Sequence, residues 1–204
     1  EKGCENLVAH IEIVKKSGVR PVVALNSFHM DTPAEVAAVK RIAEANGAYF
    51  ALSQHWLKGG EGARELAEAV ISACSEPVRF KFLYDLDTPP QQRIELIARQ
   101  IYGADGVVFS DKAMAKIQAA DKDPHLRKLP VCMVKTHLSI SHDPDVKGRP
   151  KGWTLPVNDI LVYKGAGFLV PVAGPIKLMP GTASHPAYMN IDVNTDTGRV
   201  TGIF

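Results

Sequence analysis

The chain has 204 residues, enough for one large domain or two small ones. Hydrophobic residues make up 46% and charged residues 23%, while 24 Lys and Arg against 22 Asp and Glu leave a formal net charge of +2. That balance gives no sign of the clustered basic face of a nucleic-acid binder, and no apolar run reaches the ~20 residues that span a bilayer.

With no visible signal peptide, the expected compartment is cytoplasmic. The cysteines Cys4, Cys74 and Cys132 are far apart and form no Cys-x-x-Cys pair. They read as reduced, mostly buried thiols rather than zinc ligands.

The opening "EKGCENLVAHIEIVKKSG" reads as a helix entered in mid-stream, so the expectation is an excerpt of a longer protein. Leu7, Val8, Ile11 and Val14 form its apolar stripe, ended near Gly18. "VRPVVALN" follows as a buried strand. In "DTPAE", Thr32 caps a helix, Pro33 takes its first position and Glu35 closes a capping box. "AYFALS" is a second strand, and Ala63, Leu66, Ala67, Val70, Ile71 and Cys74 recur at helical spacing after it. Thr88 to Gln91 reads as another cap, with Ile94, Ile97, Ala98 and Ile101 on one helix face and Gly103 as the stop. "GVVFS" is a short strand whose Ser110 caps the next helix, and "DKDPHLRK" is a polar loop.

From Leu129 the texture changes to short strands: "LPVCMV", "DILVY", "GFLVPV", "PIKLM", "NIDV" and "RVTGIF", with a hairpin turn at "DTG". The expected fold class is α/β, with parallel βαβ units and flanking helices followed by a β-rich C-terminal portion. The expected division is 1–128, carrying the cleft, and 129–204.

Ligands in parallel sheets bind beyond the carboxyl ends of the strands. Phe28 follows the first strand and Trp56 the second, so two aromatics project from equivalent loops, with Leu52 as an apolar wall. They either pack against their loops or hold a flat heterocycle. "LKGGEG" offers Lys58, Gly59 and Gly60 as an anion nest at a helix N-terminus, or is simply a strand-to-helix turn with Glu61 facing the helix dipole. It is not a Walker loop: no Gly-Lys-Ser or Gly-Lys-Thr occurs. "VKTHLSISHDP" gathers Lys135, His137, Ser139, Ser141 and His142. Loop neighbours seldom build a triad, so it reads as a loop lining a cleft, with Lys135 the residue to meet an anion. The glycines of "KGAGFLVPVAG" precede a strand and so fail the dinucleotide fingerprint. No metal site is expected, and no catalytic residue is assigned.

Taken in order, "VVALNSFHMDTPAE", "ALSQHWLKGGEGARELAEAV", "FKFLYDLDTPPQQRIELIARQIYGADGVVFS", "LPVCMVKTHLSISHDP", "GAGFLVPVAGPIKLMPG" and "GRVTGIF" closely resemble the carboxy-terminal part of the formate–tetrahydrofolate ligase family, over essentially the whole chain. The resemblance implies an enzyme that uses ATP with Mg2+ to join formate to tetrahydrofolate through formyl phosphate, activated by a monovalent cation and assembled as a homotetramer. It implies that Phe28 and Trp56, with Leu52 beside them, hold the pterin or purine ring. It also implies a missing N-terminal part of the same enzyme that carries the phosphate loop, leaving the fragment inactive alone. His29 stands where the family commonly has proline. "KTHLSISHDP" replaces "KTQYSFSDDP", and "PGTA" replaces "PGLP". The reading from another class is a stand-alone, non-catalytic α/β binding module.

Overall fold

The computed structural model describes residues 1–174, 176 and 183–203. Helix α1 (Cys4–Lys16) leads into strand β1 (Val22–Asn26), helix α2 (Pro33–Ala45) and strand β2 (Tyr49–Ser53). The expected capping box is present: Glu35 N–H donates to the Thr32 hydroxyl at 3.3 Å, and Thr32 N–H donates to the Glu35 carboxylate at 2.9 Å. β1 and β2 pair in parallel with Asn26 opposite Ser53, so both strands end on one edge. Ile11, Ala43 and Ala48 form a small core on this layer, with Leu7, Val23 and Phe50 packed against it.

After a one-turn helix α3 (His55–Lys58) and a 3-10 turn (Gly59–Ala63), helix α4 (Arg64–Cys74) packs on β2. The chain then supplies helix α5 (Pro90–Gln100), strand β3 (Gly106–Phe109), helix α6 (Asp111–Lys122) and helix α7 (Pro124–Arg127). Strands β4 (Thr154–Tyr163) and β5 (Phe168–Ala173) complete a sheet of order β3-β4-β5, whose first pair is parallel and second antiparallel. This sheet takes β3 from before residue 128 and β4 and β5 from after it. Leu155 and Val157 alternate inward as period two requires. A register shift between Val157 and Asp159 then moves the next buried residue to Ile160. With Ile94, Ala98, Ala113 and Ile117 these residues form the larger core. Strands β6 (Asp192–Val193) and β7 (Val200–Thr201) close the hairpin around "DTG", where Gly198 has φ +68°.

α1 ties the two layers together. Asn6 donates to Gly148 C=O at 3.1 Å, and Arg149 grips Glu12, one contact being 3.0 Å. That guanidinium holds the Glu12 carboxyl below the usual range.

Several expectations change. β1 is not a buried strand: Ala24 and Asn26 are exposed, because β2 is its one sheet neighbour among the described residues. α4 has the expected helical stripe but buries none of it, with Val70 43% and Ile71 65% exposed. Cys74, at its end, is therefore exposed, Cys132 points outward and Cys4 is half-buried, so the thiols are free but not mostly buried. Thr88 does not cap α5. Extended Pro89 holds that position, and Thr88 N–H closes a turn to Asp85 C=O at 3.1 Å. "DKDPHLRK" is helical at both ends, because Asp123 accepts from His125 N–H at 2.8 Å and Pro124 starts α7. "LPVCMV" runs beside β5 through isolated parallel bridges at Val131 and Val134 rather than as a full strand. The expected strand "PIKLM", the "PGTA" departure and terminal Phe204 fall wholly or partly outside the described residues.

Candidate functional site: an aromatic pair at the strand edge

The parallel pair delivers Phe28 and Trp56 to the same edge. Their rings stack on each other, with centroids 5.5 Å apart and planes 25° apart. Phe28 is 54% and Trp56 49% exposed, so neither is a core residue. Phe28 is held by its own backbone: its N–H donates to the Asp31 carboxylate at 2.7 Å, and Asp31 N–H returns to Phe28 C=O at 3.1 Å. Trp56 sits in α3 rather than on an open loop. Its indole Nε1–H donates to Ser27 C=O at 2.8 Å, a bond that spans the two strand ends. Ser27 N–H in turn donates to Ser53 C=O at 2.9 Å. Leu52 lies one step back along β2, half-buried and opposite Leu25.

The turn after Trp56 is built on glycine. Gly59 closes α3 with φ +58°, a conformation that L side chains rarely adopt. Lys58, Gly59 and Gly60 are exposed, and open space surrounds the position of a Cβ at both glycines. Glu61 lies 3.7 Å from Arg64 at the start of α4.

Lys135 lies in the other layer. Its ammonium donates to the carbonyls of Thr136 (2.9 Å), Ser139 and Ser141 (3.1 Å), and it stands 4.9 Å from the Tyr102 ring centroid. Those carbonyls account for all of its N–H donors. Burial pushes its pKa down. An anion arriving there would have to displace a carbonyl. Lys135 borders a cavity of about 540 Å³ together with His10, Tyr102, His137 and Lys147, so the loop does line a cleft. Ser139 and Ser141 bond to each other at 3.0 Å and to the loop backbone, while His142 lies against Trp153 at 5.7 Å. The structure thus brings Phe28, Leu52, Trp56 and Lys58 to Gly60 to one edge and leaves Lys135 apart.

Sequence reasoning missed Ser27, Asp31, Ser53 and His55. Ser53 is fully buried, and its hydroxyl meets His55 Nδ1 at 2.9 Å. An acidic residue three positions after Phe28, as in "FHMD", was the available signal for the turn. No local pattern announces a tryptophan bonding to a backbone carbonyl 29 residues away.

Among the described residues no three His, Cys, Asp or Glu side chains come together. Among the same residues no helix is long and apolar enough to cross a membrane.

The family model described as formate–tetrahydrofolate ligase matches residues 1–204. The formate–tetrahydrofolate ligase of Desulfotalea psychrophila is 60% identical over the whole chain, which covers 37% of that protein. Those of Desulforapulum autotrophicum and Dehalococcoides mccartyi are 56% and 55% identical over the whole chain, which covers 34% of each. The chain spans about a third of the length of these curated relatives. With the family match running from its first residue to its last, the chain belongs to the formate–tetrahydrofolate ligase family.

Proposed function

We propose that the full-length protein joins formate to tetrahydrofolate at the expense of ATP, giving 10-formyltetrahydrofolate by way of formyl phosphate, and that this chain supplies the ring-binding edge. The observation that carries the reading is the exposed Phe28–Trp56 stack beyond the carboxyl ends of two parallel strands. Two half-exposed aromatic faces, anchored by backbone bonds rather than by a core, suit a flat pterin or purine.

At 5.5 Å the rings are in contact with each other. A heterocycle between them needs about 7 Å, twice the ~3.5 Å contact distance of stacked carbon atoms. Binding between the rings therefore parts a pair worth roughly 0.5–1.5 kcal/mol and replaces it with two ligand faces. Leu52 supports the Trp56 side. Lys58, Gly59 and Gly60, exposed on the turn after Trp56, would offer contacts to a substrate anion, and Lys135 would contribute only after releasing a carbonyl.

Making formyl phosphate needs a cradle of N–H donors, a lysine and a metal ion. Mg2+ would neutralise phosphate charge there. The phosphate loop belongs to the part of the enzyme that precedes this chain in the family. The division at residue 128 is one of labour rather than of sheets, with the ring edge in 1–128. The assembly is a homotetramer in the cytoplasm, and static light scattering that shows a monomer at micromolar concentration would refute the assembly.

The test is Trp56→Ala and Phe28→Ala in the full-length enzyme. Each should weaken tetrahydrofolate or nucleotide binding by roughly 1–3 kcal/mol, by analogy with base stacking. The double variant should lose less than the sum, because both rings grip one ligand. The isolated 204-residue chain should show no formate-dependent turnover. Unchanged affinity with a large fall in melting temperature would return both rings to a packing role, and full turnover by the isolated chain would relocate the phosphate site.

A further inference from the structure

We propose that Gly62, which touches neither ring, is the positioning residue that sets where Trp56 stands; this rests on the ring-binding reading above. Gly62 C=O accepts from Gln54 N–H at 2.9 Å, which folds the glycine turn back onto the residues entering α3. A Cβ at Gly62 would lie 2.5 Å from Gln54 O, 2.6 Å from Gln54 C and 2.9 Å from His55 N. All three are atoms of the Gln54–His55 peptide, one residue before Trp56. A backbone peptide cannot swing aside as a flexible side-chain tip can.

Gly62 does not occupy the left-handed region, so the demand at this position is for space and not for an unusual φ. Gly59 and Gly60 in the same turn have open space where a Cβ would stand. The close approach is therefore specific to Gly62. The His55 side chain is held as well, its ring Nδ1 meeting the buried Ser53 hydroxyl at 2.9 Å. Ahead of it, the indole is tied to Ser27 C=O at 2.8 Å. An added methyl must therefore displace the Gln54–His55 peptide, and with it the turn of α3 that sets Trp56 against Phe28.

The experiment is Gly62→Ala in the full-length enzyme, with steady-state kinetics and a double-mutant cycle against Trp56→Ala. The expected result is a KM for tetrahydrofolate or ATP raised by about tenfold or more, with kcat and the KM for formate changed by less than about twofold, since small displacements of a positioning group cost of this order. In the Trp56→Ala background the Gly62→Ala effect should vanish. Ser53→Ala, which frees the His55 side chain, should shift the same KM in the same direction by less. Gly165→Ala, at a glycine with open space, should change none of these values.

An unchanged KM in a folded Gly62→Ala enzyme, when Trp56→Ala does raise it, overturns this proposal alone. So does an effect that persists without Trp56, or an insoluble Gly62→Ala protein beside soluble Ser53→Ala enzyme with normal KM. If Trp56→Ala itself leaves every KM unchanged, the ring-binding reading fails and this proposal fails with it.

Discussion

The two layers of the molecule bury their residues very differently. Around β3-β4-β5, Ile94, Leu155 and Val157 are 0% exposed and Ile160 is 1% exposed, packed under α5 and α6. Around β1-β2 the clustered core is Ile11, Ala43 and Ala48, with Ala51 buried in β2, and no residue of α4 is fully buried. Two strands alone are marginal, so this layer depends on α1, whose Asn6 and Glu12 fasten it to the Gly148–Arg149 loop. The aromatic pair stands on the thinly cored layer. Its geometry rests on backbone bonds, not on close packing.

The largest expected effect comes from breaking the well-packed layer. Arg93 is fully buried in α5. Its guanidinium donates to Leu129 C=O at 2.6 Å and to Arg127 C=O, and stands 5.9 Å from the Tyr84 ring centroid. It staples the turn that starts the segment beside β5. Burial pushes its pKa down, yet arginine stays charged. Arg93→Ala strands two inward carbonyls, and at about 1–3 kcal/mol for each unsatisfied group the loss should be roughly 3 kcal/mol. Urea titrations should be followed separately by Trp153, beside the larger core, and Trp56, with the other tryptophan replaced by phenylalanine in each case. A loss reported by Trp153 but not Trp56 sharpens the contrast between the layers. An equal loss at both makes them one cooperative unit.

A smaller effect is expected in the thin layer. Thr32→Ala removes the hydroxyl that accepts from Glu35 N–H and should cost about 1 kcal/mol. The Thr32 backbone N–H, then its hydroxyl, hold the Glu35 carboxyl below the usual range. That contribution is present above the ordinary carboxylate pKa and is lost as pH falls through the folded value. Hydrogen exchange should quicken at the start of α2 and leave α6 unchanged. Equal quickening in α6 would again argue for one unit.

What was legible in the sequence were the features that a few neighbouring residues decide. The Thr32–Glu35 box, the Ser110 cap and the Ile94–Ala98 face involve partners within four positions, and all are present. The shared edge for Phe28 and Trp56 followed from strand–helix–strand order, which forces parallel pairing. The errors arose where distant chain decides. Whether β1 and α4 are covered depends on what packs against them, and their apolar periodicity is the same either way. The charge of Lys135 suggests an anion contact, and the carbonyls of Thr136 and Ser141 that its ammonium meets are a matter of loop conformation that no sequence pattern announces. The Asp123 cap was readable and was missed, because the polar run around it resembled a loop.

The smallest expected effect tests whether the well-packed layer gains anything from charge. Asp159 lies where β4 shifts register, and its carboxylate meets Lys112 at 2.7 Å and Lys116 at 2.6 Å, both from α6. Ile160 N–H adds a bond at 2.8 Å. The lysines, chiefly, lower its pKa to about 2. The ordinary aspartate value is about 3.9, so the unfolded chain takes up the proton first on acidification. The stabilisation is therefore complete above about pH 4 and is lost as pH falls through about 2. Because both lysines are well exposed, the pairs should be worth less than about 1 kcal/mol. Asp159→Asn should lower the urea midpoint slightly at pH 7, and by less and less as pH falls from about 4 through about 2, with Trp153 as the reporter. A gap between the two proteins that stays constant from pH 7 to pH 2 would mean that Asp159 acts through the shape of the register shift rather than its charge. The core of Leu155, Val157 and Ile160 would then carry this layer without electrostatic help.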